Sequence, residues 1–229
     1  MKKIFTPAFI LLIINICLSA QKNDLIVVKA GTKLLDYFPL SERYMFSDFT
    51  MGRIMLRNGG SSDRNLNYNF VAGEMEFIQK SDTLSIANKK EIKMILIAQD
   101  TFYYDKGYIE LIRNSEPKVG LKQSVEFKEI VNKDSYGNAS SGGATTTYSS
   151  MPANGSYYKF TANKDMVFKK SLQYYLLTPG NGFILCNKNN LLELYPANKA
   201  EIKSFLKANK VKFDSRDDIL KLAEYLGSL

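Results

Sequence analysis

The stretch NLNYNFVAGEMEFIQKSDTLSI, residues 65–86, carries the clearest structural signal in the chain. Apolar and polar residues alternate on both sides of a short turn: Leu66, Tyr68, Phe70, Met75 and Phe77 alternate with Asn67, Asn69, Glu74 and Glu76. A period of two is typical of antiparallel strands that bury one face and expose the other. The stretch therefore predicts a hairpin that turns at residues 71–74 and directs its asparagines and glutamates to solvent.

The same alternation continues over most of the chain, with Gly, Asn, Asp and Pro between the runs. We predict an α+β fold that is mainly antiparallel β, arranged as a sandwich, a partly open barrel or two sheets. An N-terminal β region covers residues 21–135 and further strands cover residues 156–195. Residues 136–155, rich in Gly, Ser and Thr, are predicted to form a flexible surface loop or a linker between two domains.

The period changes to that of a helix near the end of the chain. Residues 196–229 are predicted to form a helical pair, with Asn198 and Ser215 as the residues that cap the two helices.

The first 20 residues have the features of a secretory signal peptide. Lys2 and Lys3 precede an apolar run of about 15 residues, and Ala20 precedes a polar start. The run is shorter than the roughly 20 apolar residues of a membrane span. We expect cleavage after Ala20 and an exported protein in the periplasm or at the cell surface.

The composition excludes much of enzyme chemistry. The chain has 229 residues and a net charge of +8, but no His. Ser-His-Asp and Cys-His catalytic pairs and His-ligated zinc sites are therefore excluded. No nucleotide-binding or calcium-binding motif is present, so we expect no cofactor and no metal. Cys186, the one cysteine left after cleavage, is predicted to be a buried thiol.

Two carboxylates provide the best catalytic candidates. Glu74 and Glu76 lie two residues apart on one strand, so their side chains share a face about 7 Å apart. Two acids at such a distance are reminiscent of glycoside hydrolases. The alternation with Met75 and Phe77 explains both residues as part of a solvent face, so a carboxylate hydrolase is only the second alternative function.

Aromatic and basic side chains are the candidates for binding. The aromatic candidates for a ligand are Tyr68, Phe70, Tyr104 and Tyr158, because aromatic rings stack on sugars and pack against proteins. Lys199, Lys203 and Lys207 form a basic stripe on the first predicted helix of the C-terminal pair. A stripe of this kind meets anionic surfaces, although the simpler interpretation is a solvated helix face.

Several of these motifs resemble a family of uncharacterised exported proteins of Gram-negative bacteria. The resemblance rests on Leu66-Asn67-Tyr68-Asn69, Gly73-Glu74-Met75-Glu76-Phe77-Ile78, Asp82-Thr83-Leu84, Asp100-Thr101-Phe102-Tyr103-Tyr104 and Lys188-Asn189-Asn190-Leu191-Leu192. It covers most of residues 45–228. It implies export, and it implies no activity, ligand or catalytic residue.

We therefore expect an exported, non-catalytic binding or envelope-associated module. Its expected partner is an envelope protein, a lipid or a glycan, and not a nucleic acid. The first alternative is a carrier that encloses an apolar ligand or lipid in a barrel or clam. A cavity lined by the apolar residues of the hairpin would favour the carrier, and a solid core of the same residues would count against it.

Overall fold

The computed structural model describes residues 25–133, 139–140, 161–177 and 182–229. These residues form twelve strands: β1 (Leu25–Val28), β2 (Thr50–Leu56), β3 (Ser61–Asn69), β4 (Glu74–Gln79), β5 (Asp82–Ser85), β6 (Ile92–Ile97), β7 (Asp100–Tyr104), β8 (Tyr108–Arg113), β9 (Val119–Lys133), β10 (Ala139–Ser140), β11 (Asp165–Leu177) and β12 (Phe183–Leu185). The fold is α+β and mostly antiparallel β, as the alternation predicts.

Among the described residues, five α-helices accompany the strands: α1 (Leu34–Tyr37), α2 (Leu40–Arg43), α3 (Lys188–Leu194), α4 (Lys199–Ala208) and α5 (Arg216–Leu226). Lys89–Glu91 and Pro196–Asn198 form short 3-10 helices. Helices α1 and α2 are single turns, whereas α4 and α5 are the predicted C-terminal pair. In the described part of the chain, none of the helices has the length and apolar character needed to cross a membrane.

The strands join into one large open antiparallel sheet. The order along its main path is β1-β11-β9-β8-β7-β6-β2-β3-β4-β5, with β10 beside β9 and β12 beside β11. The sheet curls, because the end of β3 meets β9 although four strands lie between them. The amide of Val125 donates to the carbonyl of Phe70 at 3.0 Å, and the Tyr68 hydroxyl donates to the carbonyl of Gln123 at 2.8 Å. We call the strands on the sheet path from β3 to β9 the curl; they are β3, β2, β6, β7, β8 and β9. Of the predicted arrangements, the curl is closest to a partly open barrel.

Three packed clusters of buried side chains hold the fold together. The cluster of the curl contains buried residues from β2, β3, β4, β6, β7 and β8, among them Leu66, Tyr68 and Met75. A second cluster joins β1, α1, β9 and β11, and a third packs α3, α4 and α5 on β9 and β11. Burial of apolar area on this scale is the main force that stabilises such a fold.

Residues 136–155 lie largely outside the described residues, as do residues 1–20. The strands before and after that segment, β9 and β11, pair with each other from Val119↔Leu176 to Val131↔Asp165. The sheet therefore continues from the N-terminal β region into the strands that follow.

Two details of the C-terminal part differ from the sequence prediction. Residues 188–194, predicted as strand, form helix α3, because the Asn187 side chain accepts from the amide of Asn190 at 2.9 Å and caps a helix there. Asn198 stands at the predicted start of α4, but its side chain makes no capping hydrogen bond. Ser215 caps α5 as predicted, with its hydroxyl accepting from the amide of Asp218.

The solvent face predicted for β3 and β4 is the largest correction. Asn67, Asn69 and Glu76 are buried, each exposed by 1% or less. The segment that leaves α2 covers them, since Tyr44 bridges to Asn69 and the amide of Met45 donates to the carbonyl of Tyr68. Both faces of the hairpin are therefore covered, whereas the sequence predicts that only one face is covered.

Cys186 is a free thiol buried in the cluster beneath α3, α4 and α5, as predicted. Burial raises the pKa of the thiol to about 12. Because the pKa is raised, the thiolate forms only as the pH rises towards that value, and near pH 8 roughly one thiol in ten thousand is ionised. We expect the native chain from residue 21 onward to resist a thiol reagent at this pH, with complete labelling in guanidinium.

The labelling is followed by intact mass, which counts one modified cysteine in the unfolded chain. A short peptide with a free cysteine provides the reactive control in the same buffer. Labelling of the native chain at the rate of that peptide would show that Cys186 is accessible and would contradict the packing described.

Candidate functional site

Two adjacent hollows open where the β3–β4 turn, the β5–β6 connection, the β7–β8 turn and β9 come together. The larger, about 770 Å³, is lined by Glu74, Tyr104 and residues 83–91, and we call it the β5 lobe. The smaller, about 490 Å³, is lined by residues 70–74, Lys89, Tyr104, Lys106, Gly107, Lys122 and residues 124–127, and we call it the lysine lobe. Glu74, Lys89 and Tyr104 line both lobes, which together form the candidate cleft.

An ion pair lies at the junction of the two lobes. Lys89 Nζ contacts Glu74 Oε1, and the two side chains are only 20% and 17% exposed. The second oxygen, Glu74 Oε2, is buried and has no hydrogen-bond partner among the described residues. Buried polar atoms are nearly always hydrogen-bonded, so this acceptor is an exception among the described residues.

Two tyrosines lie close enough to Glu74 to feel its charge. Burial first, and then the charge of Glu74, raises the pKa of Tyr68 and of Tyr108. Both phenols therefore keep their protons well above neutral pH. The Tyr68 hydroxyl is occupied by the carbonyl of Gln123, but the buried Tyr108 hydroxyl has no hydrogen-bond partner in the described part of the chain.

Side chains of the β3 motif fix the turn that lines the lysine lobe. The Asn69 side-chain oxygen accepts from the amides of Val71 and Ala72, both at 3.0 Å, and the Asn69 side-chain nitrogen donates to the carboxyl of Glu76. Gly73 completes the turn with φ at +66°, a conformation that costs glycine little. The turn is therefore held by the buried asparagine beneath it.

Positive charge exceeds negative charge around the cleft once the internal ion pairs are counted. Glu74 is paired with Lys89, and Glu126 is paired with Lys128 at 2.8 Å. The other lysines that line the cleft are Lys90, Lys106 and Lys122. None of these three forms a salt bridge among the described residues. The one other acidic residue in the described lining is Glu91. The cleft therefore favours ligands with negative charge.

The structure brings two of the four aromatic candidates to the cleft. Tyr104 lines both lobes and Phe70 lines the lysine lobe. Tyr68 is only 2% exposed and packs in the cluster of the curl, with its ring 5.4 Å from that of Phe70. Tyr158 lies outside the described residues.

The basic candidates Lys199, Lys203 and Lys207 are exposed on α4 and line neither lobe. Ile202 is the buried residue of α4, and it packs in the cluster that joins α3, α4 and α5 to the sheet.

The two glutamates of the hairpin occupy separate environments. Glu74 lines the cleft, whereas the carboxyl of Glu76 is buried and accepts from the Tyr44 hydroxyl at 2.7 Å. The pair therefore does not converge on one hollow, as a carboxylate hydrolase built on it would require.

The apolar residues of the hairpin form a solid core. Leu66, Tyr68 and Met75 are buried together, and Phe70 and Phe77 pack against them. Of these residues, Phe70 lines the lysine lobe, whereas Leu66, Tyr68, Met75 and Phe77 line neither lobe. The carrier alternative stays a prediction.

Lys89, Lys106, Lys122 and Tyr108 were not identified from the sequence as site residues. They come from three separate parts of the chain, and each stands in a stretch with an ordinary strand or turn pattern. The run Asn88-Lys89-Lys90-Glu91 is a cluster of charged residues in the sequence. Nothing in this run indicates that Lys89 pairs with a residue of β4.

No protein-family model, curated protein or solved structure matches this chain. The resemblance to exported proteins of Gram-negative bacteria therefore stays a prediction.

Proposed function

We propose that the protein is an exported, non-catalytic binding module that holds its ligand in the cleft between Glu74, Lys89 and Tyr104. The observation that carries the proposal is the pair of adjacent hollows that share Glu74, Lys89 and Tyr104, where Glu74 Oε2 has no donor among the described residues. Desolvated acceptors of this kind are costly unless a ligand or water supplies the missing hydrogen bond. Export is proposed from the signal-like N-terminal sequence.

The chemistry of the lining supports binding without catalysis. Aromatic rings stand beside an acceptor and several ammonium groups, a combination that recognises a ligand with hydrogen-bond donors and negative charge. The chain has no His, and of the candidate glutamates only Glu74 reaches the cleft. A partner in the cell envelope, whether protein, lipid or glycan, fits this setting.

Native mass spectrometry of the chain purified from its own host's envelope fraction tests the proposal. We expect an N-terminus at Gln21 and a bound molecule that is lost on denaturation. Glu74→Gln removes the carboxylate charge and one acceptor oxygen. We therefore expect the fraction of protein with bound ligand to fall about tenfold, the effect of losing one hydrogen bond to a charged group.

Glu42→Gln is the matched control, because Glu42 is half exposed and lies outside both lobes. Circular dichroism establishes that both variants are folded. A bound molecule that Glu74→Gln retains as well as Glu42→Gln does would place the binding site elsewhere. A chain that carries neither a ligand nor a partner would contradict the proposed function.

A further inference from the structure

Strand β5 has one edge that pairs with no other strand among the described residues. It is the last strand of the main path and pairs only with β4, from Gln79↔Asp82 to Glu76↔Ser85. The amide of Ile86 donates to the carbonyl of Met75, which fixes the pattern of the ladder. Because bonded positions alternate along an antiparallel pair, Thr83 and Ser85 direct their N–H and C=O groups away from β4.

This free edge forms one wall of the β5 lobe. Thr83, Leu84 and Ser85 line the lobe, and Glu74 and Tyr104 line it as well. Neighbouring strands in a sheet lie about 4.8 Å apart, so a hollow of about 770 Å³ beside the edge has room for an extended chain. Leu84, which is 41% exposed, offers an apolar contact to side chains of that chain.

The remaining features of the cleft define the chemistry of such a chain. Lys90 and Lys106 are exposed at the cleft and have no acidic partner among the described residues. These lysines are complementary to acidic side chains.

We propose that the edge of β5 binds an extended, acidic polypeptide segment of another protein as an added strand. This inference rests on the proposed function and names the class of ligand for the same cleft. Strand addition of this kind obtains affinity from main-chain hydrogen bonds and specificity from side-chain contacts. An unprotected edge strand favours aggregation, and charged residues beside the edge protect against it. The charged residues near β5 are consistent with an edge that is kept free for a partner.

Selection of random peptides displayed on phage against the chain from residue 21 onward tests the inference. We expect enriched peptides to be rich in Asp, Glu and β-branched residues. Their affinities are then measured by fluorescence anisotropy with the synthetic, labelled peptides.

Ser85→Pro is the diagnostic variant. Proline removes the outward N–H of Ser85 and leaves the ladder to β4 intact, since an edge position tolerates it. We expect affinity to fall about tenfold, the effect of one main-chain hydrogen bond lost together with local misfit.

A second variant keeps the test decisive even where proline perturbs folding. Lys90→Glu with Lys106→Glu reverses two exposed charges at the cleft and should weaken acidic peptides at least tenfold. Lys199→Glu with Lys203→Glu makes the same change in charge on α4, outside both lobes, and should leave the affinity unchanged.

Three results would overturn the inference. The first is the absence of peptides enriched above those selected on an unrelated protein. The second is equal binding of the selected peptides to wild type and to the charge-reversed cleft variant. The third is a self-association that Ser85→Pro abolishes, because the edge would then pair with β5 of a second copy. A glycan or other small molecule found by native mass spectrometry would preserve the proposed function and refute only the polypeptide ligand.

Discussion

Tyr68→Ala is expected to lower the free energy of unfolding by about 3–5 kcal/mol, the usual cost of truncating a large buried aromatic residue. The Tyr68 ring is 2% exposed and packs at 5.4 Å from Phe70, 6.0 Å from Tyr108 and 6.1 Å from Phe102. Its hydroxyl donates to the carbonyl of Gln123 and so links β3 to β9 across the curl. The variant therefore loses packing within the core and one of the contacts that closes the curl.

Urea denaturation followed by circular dichroism measures this loss. Tyr68→Phe keeps the ring and removes only the hydroxyl, so it should cost about 1 kcal/mol, the net value of one hydrogen bond. Met51→Ala removes a side chain that is 63% exposed and should change stability by less than about 0.5 kcal/mol. Equal stability of Tyr68→Ala and Met51→Ala would mean that Tyr68 is not a core residue.

Glu76→Ala is expected to lower the free energy of unfolding by about 3 kcal/mol. The carboxyl of Glu76 is fully buried and accepts from the Tyr44 hydroxyl at 2.7 Å and from the Asn69 side chain at 3.2 and 3.3 Å. Removal of the shared acceptor costs roughly 1–3 kcal/mol for each buried donor that it served. Glu76→Gln keeps one acceptor oxygen and most of the volume, and should cost about half as much.

The same variant should loosen the turn that lines the lysine lobe. The Asn69 side chain is held by Glu76 on one side and accepts from the amides of Val71 and Ala72 on the other. We therefore expect faster hydrogen exchange at these two amides in Glu76→Ala, measured by NMR or mass spectrometry, while amides of α5 remain unchanged.

Glu42→Ala, which removes a half-exposed carboxyl, is the control for both measurements. Unchanged exchange at the turn together with lost stability would show that Glu76 supports the core but does not position Asn69.

The buried polar layer explains the β3 motif in physical terms. Asn67 donates to the carbonyl of Phe46 at 2.8 Å and accepts from its amide, so it fixes the chain that covers this face. Asn69 holds the β3–β4 turn, and the intervening Tyr68 fills the curl. Each residue of Asn67-Tyr68-Asn69 therefore has a structural role, and the turn that they fix forms part of the cleft.

The sequence predicted the elements well where the signal was local. The hairpin from β3 to β4, the strands around it and the pair α4 and α5 follow from periods of two and 3.6 and from turn residues. Helix α3 was missed because its seven residues follow a strand-like run and carry little helical periodicity. The cap by Asn187 and the burial of Leu191 in the C-terminal cluster stabilise the helix there.

The candidate cleft could be predicted only in part. Phe70 and Tyr104 were identified as aromatic residues, and Glu74 was considered and assigned to a solvent face. Lys89 lies in the β5–β6 connection and contacts Glu74 at the start of β4. A contact between two separate segments produces no periodic pattern in the sequence of either segment.

The order of residues is enough to predict which side chains share a face of each strand, because adjacent side chains point to opposite sides. What covers each face depends on how distant segments pack. The chain that leaves α2 buries Asn67, Asn69 and Glu76, which turns a polar face into a hydrogen-bonded layer. The cleft also depends on tertiary structure, since it exists only where the β3–β4 turn, the β5–β6 connection and the β7–β8 turn meet β9.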